Sequence, residues 1–220
     1  MFAGHIGVGL ALGRAERRVN VAVFVGAALL LDAILWLLVL AGWESVAIPA
    51  DFERSRQPVF DFPVSHGLAG ALAWSAVAAA VAGVALGRLR VARVRAAALI
   101  GIAVLSHWVL DAAVHRAELP LAGSSSPKVG LALWDALAVG LGIEVVIAFA
   151  GAWLFLAGTG LPRARAFGVA AATFALAALT VAGMTLAPPP PSAAAMAGSS
   201  LATIAAVCAL YAWLAPGRRD

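Results

Sequence analysis

Six apolar intervals, at about residues 19–41, 64–86, 96–115, 130–157, 166–187 and 197–215, constrain this chain more than any motif in it. Each is close to or above the roughly 20 helical residues that cross the hydrocarbon core of a bilayer. Short charged clusters separate them: RAERR at 14–18, DFER at 51–54, RLRVARVR at 88–95, RAR at 163–165 and RRD at 218–220 hold sixteen of the 26 charged residues. With 63% apolar residues and a mean hydropathy of +0.98, the chain lies far from the balance of a soluble domain. Backbone groups in lipid must be bonded within the segment, and no interval alternates with the period of two that marks a barrel strand. The chain is therefore read as an all-α integral membrane protein, a bundle of about six transmembrane helices. The opening MFAGHIGVGLALGR is apolar but too short to span alone, which predicts a re-entrant or half-inserted helix. Its basic cluster follows the apolar stretch instead of leading it, unlike a secretory signal peptide.

Orientation follows from the basic residues. Taking the helices in order, eleven of the fifteen fall at one end, in RAERR, RLRVARVR, RAR and GRRD. Cytoplasmic loops carry such an excess, so both termini are expected in the cytoplasm and the 42–63 loop outside. The net charge of +4 and pI near 10.5 then reflect topology and not nucleic-acid binding; the expected surroundings are membrane lipids. Cys208, the one cysteine, can form no internal disulfide. No loop is long enough for a separate soluble domain, so residues 1–220 read as one membrane domain. Its ionisable residues concentrate before residue 157, and 158–220 supplies two further helices, expected as packing partners. The small-residue spacing GLALG at 9–13 would permit close helix contact, but Ala and Gly are too common here for it to be informative.

The stretch VLSHWVLDAAVH, at 104–115, places ionisable groups inside an apolar run. At 100° per residue, His107, Asp111 and His115 lie at about 0°, 40° and 80°, one narrow stripe on a helix. Ionisable side chains in hydrocarbon cost several kcal/mol unless paired or facing a cavity, so the stripe marks a bundle-interior cluster. The other histidines, His5 and His66, also lie in or at the edge of apolar segments. Asp32 falls near the middle of the first interval and Asp135 near the outer start of the fourth, so the groups can converge in the outer half of the bundle. Imidazole plus carboxylate is a ligand set for zinc and similar divalent ions, and a His and Asp four residues apart give one ion two ligands from a rigid helix. Sharing one ion would bring His66, His107 and Asp111 within about 6 Å of one another. Asp32 reads equally as a ligand, a partner holding a histidine tautomer, or a helix-packing acid. Glu144, nine residues from Asp135 and hence about 900° round the same helix, is expected on its opposite face.

The order of these residues, His5 in MFAGHIGVGLAL, Asp32 in ALLLDAILW, His66 in VSHGL, then SHWVLDAAVHR, ELPL and GLALWDAL, resembles the bacterial membrane-bound metal-dependent hydrolases, also described as LexA-binding inner-membrane-associated hydrolases. That group is in turn similar to zinc-dependent phospholipase C. The resemblance covers roughly residues 1–157, and its most specific element is the His-x-x-x-Asp of 107–111. It implies an inner-membrane location and His5, Asp32, His66, His107 and Asp111 as metal ligands, with zinc, or else manganese, as the ion. Members of the group often carry Pro-Asp-x-Asp and His-Arg-x-x-Thr-His-Ser where this chain has LLLDAILW and FPVSHGL, with one acid and one histidine. The implied ligand set is correspondingly smaller. The activity it implies is hydrolysis of a lipidic or phosphoester substrate reached from the outer leaflet, an ion held by His66, His107 and Asp111 activating water while His115 or Asp135 carries the proton. Two other classes fit the residues: a transporter or proton relay through Asp32, His66, His107, Asp111 and Glu144, and a structural protein whose polar groups only lock helix packing.

Overall fold

A computed structural model describes residues 1–87 and 91–217, apart from the side chain of Val91. Arg88 and Arg90 of the second basic cluster, and the terminal RRD, lie outside the described residues. The chain is all-α. In order, the helices are α1 (Phe2–Ala15), α2 (Val21–Ala28), α3 (Leu30–Leu40), the single turn α4 (Phe52–Ser55), α5 (Leu68–Ala85), α6 (Val91–Val114), α7 (Leu137–Thr159), α8 (Arg163–Leu186) and α9 (Ala193–Leu214). Two small antiparallel ribbons complete it: β1 (Ser45–Ala47) with β2 (Val59–Asp61), and β3 (Leu119–Pro120) with β4 (Lys128–Val129). Five helices are long and apolar enough to cross a membrane, α5 to α9, and α2 with α3 makes a sixth candidate span broken by a 52° bend.

The bend corrects the sequence reading, which predicts one continuous helix over 19–41. The break at Leu29 contains neither glycine nor proline. Irregular backbone at membrane depth is tolerated only where protein or a cavity satisfies it, and here a distant side chain does so, as described below. A second correction concerns 130–157. Helix α7 starts only at Leu137, preceded by a 3-10 turn over Leu133–Ala136.

Helix α1, too short to span alone, enters the interior of the bundle. Its first turn is buried together with Met1, and it runs outward to the basic end. Two glycine faces allow this. A Cβ on Gly151 of α7 would lie 1.9 Å from the Gly7 carbonyl oxygen, so α1 and α7 touch backbone to backbone. On the other side, Gly9 meets the Val25 backbone and Gly13 meets the Val21 side chain of α2. The GLALG spacing is therefore a true helix contact.

Local chemistry fixes the ends. Asn20 caps α2 by accepting from the Ala22 N–H, Ser192 caps α9 by accepting from the Ala195 N–H, and Gly160 ends α7 at φ +64°. At the basic end, Arg14 donates to the Gly158 carbonyl and Asn20 Nδ2 to the Ala212 carbonyl, so the ends of α1, α7 and α9 and the start of α2 meet there. The Arg18 guanidinium, bonded to Glu16, holds that carboxyl below its usual range. Both ribbons lie toward the opposite end.

Candidate metal centre

Four structural elements deliver the polar cluster. Helix α6 presents His107, Asp111 and His115 on one face, as the spacing predicts. Its last turn is held where the Leu131 and Ala132 N–H groups donate to the Ala112 and His115 carbonyls, both at 2.8 Å. The break between α2 and α3 places Asp32 in the first turn of α3 and exposes the terminal carbonyls of α2, which have no helical partner. His107 Nδ1–H donates to one of them, Ala28, at 2.7 Å.

His66 sits in the turn before α5. Glu44 builds that turn, accepting from the Val64 and Ser65 N–H groups at 2.8 Å and from the Ser65 hydroxyl at 2.6 Å. With its only proton given to Glu44, Ser65 Oγ accepts from His66 Nδ1–H at 2.8 Å. Gly67 lets the turn close, since a Cβ there would fall 2.4 Å from the Pro63 oxygen. Finally, α1 brings His5, whose ring stacks on His107 with centroids 3.7 Å apart. His5 Nε2–H donates to Asp111 at 3.1 Å, and its Nδ1 is buried without a partner among the described residues.

These second partners fix the tautomers. With Nδ1 engaged on both rings, the Nε2 atoms of His66 and His107 face each other at 3.1 Å, an approach that needs a proton on one of them or a cation between them. Carboxylates flank both nitrogens. Asp111 Oδ2 lies 3.4 Å from His66 Nε2 and 3.2 Å from His107 Nε2; Asp32 Oδ1 lies 3.7 and 3.6 Å from the same atoms. Three of these atoms, His66 Nε2, His107 Nε2 and Asp111 Oδ2, close a compact triangle with edges of 3.1, 3.4 and 3.2 Å. Ligands held at about 2.0–2.2 Å by a tetrahedral ion are separated by roughly 3.3–3.6 Å, close to the edges of that triangle. His66, His107 and Asp111 thus form a group that can hold a metal ion, and His5, Asp32 and His107 form a second such group with atoms within 4.8 Å. The imidazoles and Asp111 are buried, whereas the Asp32 side chain is 23% exposed and marks the open side.

The other site candidates divide. His115 belongs to the cluster: its Nε2 is 3.9 Å from Asp111 Oδ2 while Nδ1–H donates to Glu118. Asp135 does not meet the cluster. It is exposed, bonded to Arg116 at 2.7 Å and to Gln57 at 3.4 Å. Glu144 is the inward one, fully buried and accepting from the Ala3 N–H at 2.7 Å and the Gly4 N–H at 3.4 Å. It caps the N-terminus of α1, the helix that carries His5. Because the 3-10 turn interrupts the helix, a count of 100° per residue cannot relate Asp135 to Glu144. Sequence reasoning also passed over Glu44, Ser65 and Glu118. The only signal was adjacency, Ser65 beside His66 and Glu118 three residues after His115.

Comparison with protein-family models, with curated proteins and with solved structures finds no match, so the centre is read from its own geometry.

Proposed function

We propose that this chain is a membrane-embedded metal-dependent hydrolase acting on a lipidic phosphoester at the end of the bundle remote from its basic clusters, in an inner membrane with both termini cytoplasmic. The observation that supports the metal reading is the buried triangle of His66 Nε2, His107 Nε2 and Asp111 Oδ2, with Asp32 beside it on the open side. Two imidazole nitrogens with a carboxylate oxygen suit zinc better than manganese, which favours six oxygen-rich ligands. A divalent ion bound there lowers the pKa of a coordinated water and polarises a phosphoryl or carbonyl oxygen.

The chain's own groups supply the rest. Ser65 and the Ala28 carbonyl hold the His66 and His107 rings in the liganding tautomer, as second partners of metal-binding histidines do. His115, with Nδ1–H on Glu118, keeps Nε2 free to accept a proton beside Asp111, and Glu118, 18% exposed, leads toward water. Phe60 and Phe62, packed edge-on against His115, restrict water on that side. Asp135, on the surface with Arg116, has no part. The 3.1 Å pair of Nε2 atoms also suits a shared proton, the element of a proton relay. The full chain in lipid nanodiscs, loaded with zinc, should hydrolyse a fluorogenic phosphodiester lipid, and His115→Gln should lower turnover by about 10²-fold or more while retaining the ion. Absence of turnover on phosphodiester and carboxyl-ester lipids in ion-loaded protein would remove the hydrolase reading, and absence of the ion would favour the relay.

A further inference from the structure

A cavity of about 130 Å³ borders His66, Asp111 and His115, and a larger one of about 310 Å³ adjoins it. Met1, Asp32, Trp36, Trp134, Met184 and Met196 line both. The larger cavity is walled by α8 and α9, beyond the region of any family resemblance. These helices are tied toward the basic end, where Thr173 Oγ1 and Tyr211 Oη lie 2.8 Å apart and Leu214 packs over Gly168. Toward the other end the cavity separates them. Thr180 and Met184 face it from α8, and Ser200 and Thr203 from α9. Ser199 and Thr203 are exposed, so the wall continues onto the outer surface of two helices long and apolar enough to cross a membrane.

The lining suits a hydrocarbon chain. The Thr180, Ser199 and Thr203 hydroxyls donate to the Leu176, Met196 and Ser199 carbonyls of their own helices at 2.8, 3.0 and 2.8 Å, so they require no water. Phe2, Ile204 and the methionine and tryptophan side chains supply most of the remaining surface, with Asp32 and Glu144 at the end nearest the centre, and methionine fits irregular apolar occupants. The centre end differs. Arg56 lines the smaller cavity, donating one bond to the Ala187 carbonyl at 2.7 Å and leaving most of its donor fork unused among the described residues. Trp134, which lines both cavities, holds its indole N–H buried without a partner among the described residues. A guanidinium and a free N–H beside the His/Asp centre, with an apolar slot opening sideways beyond them, match an amphiphile whose anionic group lies at the centre. The larger volume lies at the lower limit of the roughly 300–1,000 Å³ range of small-molecule sites, and the smaller one extends it to the centre.

We propose that the cleft between α8 and α9 receives one acyl chain of an anionic glycerophospholipid, entering sideways from the bilayer, with its phosphate at Arg56 and Trp134 beside the His/Asp centre. Naming this lipid as the substrate rests on the hydrolytic reading of that centre; its binding does not. The test uses the full chain in phosphatidylcholine nanodiscs doped with phosphatidylglycerol carrying a diazirine in one acyl chain, with crosslinks mapped by mass spectrometry and bound zinc measured on the same samples. Labelling should concentrate on residues 180–204 and fall at least ten-fold in Ser200→Trp, or in Ser200→Leu if the larger residue prevents folding. Arg56→Gln should lower labelling by the phosphatidylglycerol probe but not by a diacylglycerol bearing the same chain. Labelling spread evenly over the lipid-facing helices, or unchanged in the filled variant, overturns the proposal. Zinc retained without cleft labelling leaves the metal reading standing and removes the lipid site; cleft labelling without zinc does the reverse.

Discussion

Replacing Gly151 by alanine tests whether the site depends on the backbone contact between α1 and α7. The added Cβ would sit 1.9 Å from the Gly7 carbonyl oxygen, against at least 3.0 Å in real contacts, so the helices must separate by about 1.1 Å. The obstacle is backbone and cannot rotate away. Overpacking of this kind costs about 1–3 kcal/mol, and the rigid partner places Gly151→Ala at the upper end. A displacement of that size would disturb the seating of His5 against Asp111, which are 3.1 Å apart in the native packing. Losing a group that orients a ligand carboxylate typically weakens metal affinity by about 10–100-fold. Thermal unfolding in detergent and zinc competition with a chelating dye measure the two effects together. Gly142→Ala is the control, because nothing lies within 4 Å of its Cβ on the same helix. There the gain in helix propensity, up to about 1 kcal/mol, should leave stability equal or higher. If Gly151→Ala unfolds and binds zinc as Gly142→Ala does, the close packing of α1 in the bundle is wrong.

Glu144→Ala should cost about 1–3 kcal/mol by stranding the buried N–H groups that begin α1, whereas Glu144→Gln, which keeps an acceptor oxygen, should recover most of that loss in the same unfolding assay. Ser65→Ala removes the acceptor that holds His66 Nδ1–H, so zinc affinity should fall by about 10–100-fold with little change in fold, as competition titration would show. Glu16, whose carboxyl Arg18 holds below its usual range, gives stability that is complete above about pH 5 and is lost as the pH falls through roughly 4 and lower. Glu16→Gln should flatten that acid limb of a stability–pH profile, and an unchanged limb would show that the pair contributes nothing.

How far the fold could be read from sequence depended on the range of the interactions involved. Span length and charge clusters are local, so six apolar intervals and a short separate α1 were legible without coordinates. The break at Leu29 was not, because no residue near it forbids a helix. The compensating bond comes from His107, seventy-nine residues away. The stripe of His107, Asp111 and His115 was legible because α6 is an unbroken helix through all three. Asp135 and Glu144 exchanged roles for the opposite reason: the 3-10 turn at Leu133–Ala136 upsets the helical count that related them. Glu44, in a loop that read as merely acidic and outward-facing, became the organiser of His66 through a turn closed by Gly67. The two last helices read as packing partners because they carry almost no ionisable groups. Their contribution is a hydroxyl- and methionine-lined cavity, and such residues give no signal in a membrane sequence.

The central claim is that His66, His107 and Asp111 together hold one ion. Metal analysis of the full chain, purified from membranes and washed after exposure to zinc, tests it most directly. The account predicts about one zinc per chain, lost in well-folded His107→Ala and Asp111→Ala and retained in Glu144→Gln. Wild-type protein holding no more zinc or manganese than the His107→Ala variant would contradict it, and would leave a proton between His66 and His107 as the cation the geometry demands.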